Sequence, residues 1–397
     1  MRTQRIIKFQ CVVCKRLFTF KEWQKCQCGG FIDTIYAKSD LKMISPSLYP
    51  ALKWGNYLPF PQEFLLPTDV RETPLAEATK LAKQLKLKKL YLKVETTNDT
   101  KTFKDRMAEA VLSFLNYQGI NEFVACSTGN ASTALANAAA KYPTKFTAYI
   151  FCAEEFLYRL NVPDYPNVKV FSVKGVDFVR AAEVSQKFAA KYGLIYEGGF
   201  YDPARREGLK LLTLEAYAQM IERNWEQPDY LFQAVSSAMG IWGINKGISE
   251  LSGLGYVKKI PGLVACQQDT CNPMVRAFKD NSPLITPKYI VQNPTGLAKA
   301  ILRGNPSDTY PYIRKIVLKT GGSFVSVNDE EIITARKKLL EVEGVDTSYD
   351  ASITLASLKK AIDEGWVKRD SIVMLNISGA DRDQKIRPSR VRYLDFE

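Results

Sequence analysis

Residues 87–136 decide the fold, and they include LKKLYLKVE (87–95), TTNDTKTFKDRMAEAVLSFLNYQ (96–118) and NEFVACSTGNASTALA (121–136). A run rich in Leu, Tyr and Val is followed by a polar loop and then by apolar residues at helical spacing. The same order of strand, loop and helix then repeats. This alternation predicts parallel strands joined by crossover helices.

The alternation continues in both directions along the chain. Further strands are predicted at 146–152, 167–175, 230–237, 262–268 and 371–378. Further helices are predicted at 71–87, 177–193, 204–221, 330–344 and 352–366. Strands rich in Val and Ile predict an α/β fold whose parallel sheets are covered by helices on both faces. The length of 397 residues suggests two or three domains, and no flexible linker divides them, so we expect a second domain to be inserted.

Composition restricts the classes of function. The net charge of +13 comes from lysines and arginines that are dispersed among acidic residues, so we expect no nucleic-acid partner. No apolar run reaches the roughly 18 residues that span a bilayer, so we expect a cytoplasmic protein without a membrane partner. The chain has no histidine, which excludes histidine general bases, Ser-His-Asp triads and histidine metal ligands.

Four cysteines cluster near the N-terminus, in residues 1–39. They form two close pairs followed by glycines, which suits a zinc ribbon in which two turns present four thiolates to one tetrahedral ion. The candidate ligands are Cys11, Cys14, Cys26 and Cys28. Such a Zn²⁺ site would be structural, because no ligand position is left open. A metal-free reduced or disulfide state is the alternative.

Polar segments that follow predicted strands are the candidate functional residues. Open α/β sheets bind ligands at the carboxyl ends of their strands. Lys104 opens a helix after the strand 87–95, and residues 127–130 follow the strand that ends near Cys126. Residues 236–240 and Ser378 follow two later strands. Taken one at a time, Lys104 can be an ordinary first-turn lysine, and residues 127–130 can be a simple helix cap.

In this order, the segments resemble fold-type-II pyridoxal-phosphate enzymes of the tryptophan synthase β superfamily, in the threonine synthase and cysteate synthase branch. The resemblance covers about residues 71–386. It rests on ETPL (72–75), on NDTKTFKDR (98–106) for the N-P-T-x-S-F-K-D-R motif of that branch, and on STGNAS (127–132) for S-x-G-N. FYDPARREGLK (200–210) is similar to the Asn-Pro…Glu-Gly helix start of the branch. The loop VSSAMG (235–240) is poorer in glycine than the usual phosphate loop.

The resemblance implies a role for each candidate residue. Lys104 would form the Schiff base with pyridoxal 5'-phosphate and carry the α-proton, and Asn130 would bond the ring oxygen of the cofactor. Ser378 would face the pyridine nitrogen, where a hydroxyl leaves the ring neutral and favours elimination or replacement. The substrate carboxylate would be held by Ser127, Thr128 and Gly129. The phosphate of the cofactor would be held by Ser236, Ser237, Ala238, Met239 and Gly240.

The same resemblance implies two open twisted sheets and a set of domain boundaries. The expected domains are the ribbon-like segment 1–39, a large cofactor-binding domain at 40–106 and 212–397, and a small inserted α/β domain at 107–211. The implied reaction is elimination or replacement on a phosphorylated hydroxy amino acid, in a chain that could form a homodimer. Formation of threonine from O-phosphohomoserine is the first reading, β-replacement on O-phosphoserine the second, and an inactive cofactor-binding homologue the third.

Overall fold

The computed structural model describes residues 7–23, 25–36, 49–383 and 385–395. The described chain groups into two compact units. Unit 1 takes the described residues within Met1–Glu72, Lys104–Leu211 and Arg382–Glu397. Unit 2 takes Thr73–Phe103 and Leu212–Asp381.

The described strands and helices follow the predicted alternation. The strands are β1 Ile7–Cys11, β2 Leu17–Phe18, β3 Ile32–Tyr36, β4 Leu75–Glu77, β5 Lys89–Val94, β6 Glu122–Cys126, β7 Thr147–Ala153, β8 Val168–Val173, β9 Ile195–Tyr196, β10 Tyr230–Ala234, β11 Gly262–Gln268, β12 Ser323–Val327, β13 Ile372–Ile377 and β14 Val391–Leu394. The α-helices are α1 Pro50–Lys53, α2 Thr79–Leu85, α3 Lys104–Gln118, α4 Asn130–Ala140, α5 Phe178–Lys191, α6 Pro203–Glu222, α7 Met239–Gly253, α8 Pro273–Lys279, α9 Tyr310–Lys319, α10 Asp329–Glu343 and α11 Tyr349–Asp363. Short 3₁₀ turns lie at Gly55–Tyr57, Gln62–Phe64, Glu95–Thr97, Glu154–Arg159, Gly199–Tyr201, Pro287–Tyr289 and Lys299–Ile301.

Unit 2 is built on a six-stranded sheet in the order β12-β11-β10-β13-β5-β4. All neighbouring strands are parallel except β4, which pairs antiparallel with β5. Every residue of β11 and β13 is buried, as expected for strands covered on both faces. The core side chains include Leu90, Phe232, Val264, Val325, Leu355 and Leu375. Strand β13, which comes last of the six in the chain, lies in the interior of the sheet between β10 and β5.

Unit 1 contains two sheets. The larger one is all parallel, in the order β14-β8-β7-β6-β9, and the smaller one is antiparallel, in the order β2-β1-β3. Trp23 packs against Phe114 of α3, and its Nε1 donates to Gln118 Oε1 at 2.9 Å. These contacts hold the cysteine-containing segment against α3. The α/β class with open sheets covered by helices is thus confirmed.

The compact units divide the chain differently from the predicted domains. Residues 49–72, which the sequence assigns to the large domain, group with unit 1 because they bond to α3 and to Lys141 at the end of α4. Leu66 N–H donates to Ser113 Oγ at 2.9 Å, and Lys141 Nζ donates to Thr68 O at 2.6 Å. Compactness does not test which parts fold or move together, so the domain boundaries stay a prediction.

Within the described residues, no helix is long and apolar enough to cross a membrane.

Candidate functional site

The candidate residues of unit 2 lie along one edge of its sheet. Strands β10, β13 and β5 are parallel neighbours, so their carboxyl ends meet at the same edge. The loop 235–238 and the start of α7 follow β10, Ser378 follows β13, and the segment 95–103 follows β5. The sheet order therefore brings together two of the predicted groups, 236–240 and Ser378, with the segment that leads to Lys104.

Hydrogen bonds hold the segment 95–103 at both of its ends. Phe103 N–H donates to Ser378 O at 3.0 Å, and Ala380 N–H donates to Lys101 O at 2.9 Å. At the other end, the buried Glu95 carboxylate accepts from Thr73 Oγ1 at 2.7 Å and from Asn98 Nδ2 at 3.0 Å. These bonds fix the backbone immediately before Lys104, which a covalently attached cofactor requires.

Lys104 is the first residue of α3 and is half-buried. Desolvation and, to a smaller extent, the positive charge of Arg205 together lower its pKa to about 7. An ammonium of ordinary pKa would be almost fully protonated at neutral pH, whereas a group with this pKa is uncharged about half of the time. Lys104 therefore offers an unprotonated amine, the form that attacks an aldehyde.

The loop 235–238 and the first turn of α7 expose hydrogen-bond donors. The residues Ser236 and Ser237 are half-buried, and Ala238 takes the left-handed conformation with φ of +58°. In the described part of the chain, no hydrogen-bond partner is seen for either serine hydroxyl, nor for the amides of residues 236–241. The four leading amides of a helix lack intrahelical partners and form an anion site. This donor set fits a phosphate group.

The loop 127–129 of unit 1 is arranged differently. Ser127 Oγ accepts from Gly129 N–H at 3.2 Å and from Ser132 N–H at 2.8 Å, and donates to Ser132 Oγ at 2.8 Å. Its hydroxyl thus closes the start of α4. The Asn130 side chain is half-buried, and no partner for it is seen among the described residues.

Arg159 contacts this loop, and no motif in the sequence predicted that contact. Its Nε donates to Thr128 O at 3.1 Å. A Cβ on Gly129, whose φ is +125°, would lie 2.7 Å from Arg159 Cβ. Arg382 Nη2 in turn donates to Arg159 O at 3.0 Å. The loop conformation is therefore set by a residue 30 positions away.

A buried charge cluster at the start of α6 was also missed as functional, although the motif 200–210 contains part of it. Arg205 makes a bidentate ion pair with Glu197, in which Nε donates to Oε2 at 2.5 Å. Asp202 lies beside this pair, and all three residues are at most 4% exposed. The charge of Arg205 is the one that acts on Lys104.

The four N-terminal cysteines are confirmed as a cluster. Their sulfur atoms all lie within 4.8 Å of one another, with Cys11 Sγ 3.5 Å from Cys28 Sγ and Cys14 Sγ 3.6 Å from Cys26 Sγ. Gly30 leaves no room for a side chain, because a Cβ there would lie 2.7 Å from Cys11 Sγ. Four thiolates at this spacing can hold one metal ion such as Zn²⁺.

Comparison with known proteins agrees with this geometry. Residues 66–379 match the family described as pyridoxal-phosphate dependent enzyme. The chain is 31% identical to threonine synthase of Methanocaldococcus jannaschii, with 96% of this chain and 94% of that protein covered. It is 26% identical to cysteate synthase of Methanosarcina barkeri, with 94% and 91% covered. Maize serine racemase has the same fold, with a TM-score of 0.63 at 18% identity over 79% of this chain and 89% of that one.

This chain belongs to the fold-type-II family of pyridoxal-phosphate dependent enzymes. The cofactor predicted from the sequence is thereby confirmed, and the chain is a synthase or lyase of the elimination and replacement type. The residues present fit the cofactor, because an unprotonated amine suits its aldehyde and the free donors of 236–241 suit its phosphate. When bound, pyridoxal phosphate supplies an electron sink that loosens the bonds to the α-carbon of an amino acid.

Proposed function

We propose that this protein converts O-phosphohomoserine into threonine and phosphate. The observation that carries the proposal is the 31% identity to a threonine synthase over 96% of the chain. The TFKDR stretch at 102–106 is better matched to this branch than any feature specific to an alternative. The substrate would be a small phosphorylated amino acid.

In this proposal Lys104 bonds the aldehyde of the cofactor and, once released by the substrate, carries the α-proton. Its lowered pKa suits both tasks, because a proton carrier works best when its pKa is near the ambient pH. The phosphate group of the cofactor would take the donors of Ser236 to Gly240. Ser378 would face the pyridine nitrogen, and Asn130 would bond the ring oxygen.

The substrate carboxylate would lie at the residues 127–129. Because the Ser127 hydroxyl already has two donors and one acceptor, its contribution would be to shape the loop. Thr128 and the loop amides would make the direct contacts. The structural metal ion would be Zn²⁺ at the cysteine cluster.

The test offers O-phosphohomoserine and O-phosphoserine separately to the protein reconstituted with pyridoxal phosphate. Phosphate release and amino-acid products are measured while the visible spectrum is followed. We expect phosphate release from O-phosphohomoserine with threonine formed in equal amount. Release from O-phosphoserine alone would favour β-replacement, the activity class suggested by the 26% identity to cysteate synthase. A coloured protein that releases phosphate from neither would indicate either another activated amino acid as substrate or an inactive homologue.

Lys104→Ala tests the attachment residue. We expect it to lose the visible absorbance of the bound cofactor and at least about a thousandfold of activity, since the covalent link and the proton carrier are both removed. Lys101→Ala is the matched control, because Lys101 is exposed in the same segment. In the wild type, cofactor attachment should speed up as pH rises through about 7 and then level off, because only the unprotonated amine reacts. Retained attachment in Lys104→Ala would refute the assignment.

A further inference from the structure

The carboxyl group of Asp202 is buried with one oxygen unpartnered. Its Oδ1 accepts from Ala204 N–H at 2.7 Å, as a capping carboxyl does at the start of a helix. Its Oδ2 is buried, and no hydrogen-bond partner is seen for it in the described part of the chain. Burying a charged carboxylate oxygen without a donor costs more free energy than burying a neutral carboxyl group in the same place.

The surroundings favour the protonated form. Burial and, to a smaller extent, the negative charge of Glu197 raise the pKa of Asp202, and its net value is about 8. Arg205, the Ala204 N–H and Arg206 act in the opposite direction but do not compensate. At neutral pH the group is therefore mostly a neutral acid.

The charged groups that act on Asp202 are Glu197, Arg205 and Arg206. Glu197 follows β9 and is already paired with Arg205 of α6. Arg206 points to β3, where it bonds to Ile32 O and Asp33. The charges of Glu197 and Arg205 also influence the thiol of Cys126, at the end of β6. Burial raises the pKa of this thiol far above neutrality, so Cys126 adds no charge to the cluster. The charges of Glu197 and Arg205 cancel, so the cluster is neutral when Asp202 is protonated and carries one negative charge when Asp202 is ionised.

The net charge of the cluster matters because Arg205 influences the pKa of Lys104. The positive charge of Arg205 reaches the Lys104 amine and lowers its pKa. A second negative charge beside Arg205 would cancel that influence and would make the surroundings of Lys104 unfavourable for an anion.

We propose that Asp202 is a specificity-determining positioning residue: in its neutral form it keeps the Glu197–Arg205 cluster free of net negative charge, so that an amino acid with an anionic side chain can bind, and its ionisation weakens the binding of such substrates. The proposal rests on the proposed function, because it takes a phosphorylated amino acid as the ligand. It acts through Arg205, and no contact with the substrate is required of it.

The first measurement is the protonation state of Asp202 itself. Infrared spectra of the holoenzyme should show a protonated-carboxyl band that is lost as pH rises through about 8 and is missing from Asp202→Asn. Glu109 is the internal control, because burial raises its pKa to about 7 and Thr68 donates to it. Glu109→Gln should remove a different band, one that titrates earlier. A band assigned to Asp202 that disappears near the ordinary aspartate pKa would overturn the proposal.

The second measurement compares binding of O-phospho-L-serine with binding of L-serine, followed by the visible spectrum of the holoenzyme. Between about pH 7 and about pH 9.5, the wild type should lose about fivefold in the affinity ratio of anionic to neutral ligand, as expected for one added charge at partly screened distance. Asp202→Asn should keep the ratio constant, and Glu109→Gln should behave as the wild type. Asp202→Ser provides a second neutral variant if the asparagine variant does not fold.

An equal loss in Asp202→Asn and in the wild type would refute the charge role. If neither O-phosphoserine nor O-phosphohomoserine changes the spectrum at any pH, the proposed function fails, and with it the substrate part of this proposal. The infrared titration judges the neutral state of Asp202 independently of that result.

Discussion

Two loops of this protein share one sequence pattern and differ in how their polar groups are used. In both, a parallel strand ends in serine and small residues and a helix begins, at 127–130 after β6 and at 236–240 after β10. In the first loop, Ser127 Oγ bonds to two backbone amides and to Ser132. In the second, the hydroxyls and amides of residues 236 and 237 have no partner among the described residues.

The two loops also differ in which residue takes the backbone conformation with positive φ. The first loop uses Gly129 for its positive φ and leaves no space there for a side chain. The second uses Ala238 at φ of +58°, a conformation that costs an L-residue about 1–2 kcal/mol. A loop that satisfies its own polar groups serves mainly to position its neighbours, whereas a loop with free donors is ready for an anion.

The largest expected difference between the loops concerns cofactor retention. Replacing both Ser236 and Ser237 by alanine should weaken pyridoxal phosphate binding by at least about a hundredfold, since the two hydrogen bonds to a charged group together contribute about 3–6 kcal/mol. Titration of the apoprotein with the cofactor, followed by visible absorbance, measures this.

Ser127→Ala is the control from the other loop. It should lower the free energy of unfolding by about 1 kcal/mol through loss of the cap of α4, with little change in cofactor affinity. If Ser127→Ala weakened cofactor binding as much as the double variant does, the contrast between the two loops would be wrong.

A smaller effect is expected from Gly129→Ala, which tests the closed loop. The positive φ and the 2.7 Å approach to Arg159 Cβ should together cost about 2–3 kcal/mol of the free energy of unfolding. Denaturant unfolding measures it. Gly119→Ala is the matched control, because φ there is +72° but nothing lies within 4 Å of an added Cβ. Equal losses in the two variants would show that Arg159 does not confine the loop.

The smallest effect is expected from Ala238→Gly in the open loop. Relief of the positive φ is partly offset by the greater entropy of glycine in the unfolded chain, so the gain should be below about 1 kcal/mol. A slightly higher Tm with unchanged cofactor affinity is the expected result. Ala234→Gly, within β10, should lower Tm instead. A fall in Tm for Ala238→Gly would mean that Ala238 makes contacts that outweigh its strain.

Local patterns predicted most of the elements but not their arrangement. The predicted strand 87–95 and helix 102–118 correspond to β5 and α3. The position of β13 between β10 and β5 could not be predicted, because it depends on pairing between segments that lie more than 100 residues apart. The strands β4, β9, β12 and β14 and the helices α8 and α9 also escaped prediction. For β4, β9 and β14, two to four residues give no clear periodicity.

The same limit applies to the candidate site. Lys104, the loop 236–240 and Ser378 could be predicted as candidates because polar residues that follow a strand lie at the ligand-binding edge of an open α/β sheet. The lowered pKa of Lys104 and the raised pKa of Asp202 depend on burial and on the Glu197–Arg205 pair. Neither burial nor the pairing of these charges is visible in the sequence. Arg159 was missed because its role comes entirely from tertiary contacts.

The central place of β13 also affects how the protein is made. Residues 372–377 follow the other five strands of this sheet in chain order, yet they bond to β5 on one side and to β10 on the other. Until they are synthesised, the nascent chain carries two partial sheets with unpaired edges, which are open to association with other chains. The carboxyl edge of the sheet is thus assembled only after residue 377 has been synthesised, and a chain that stops before residue 372 exposes both edges.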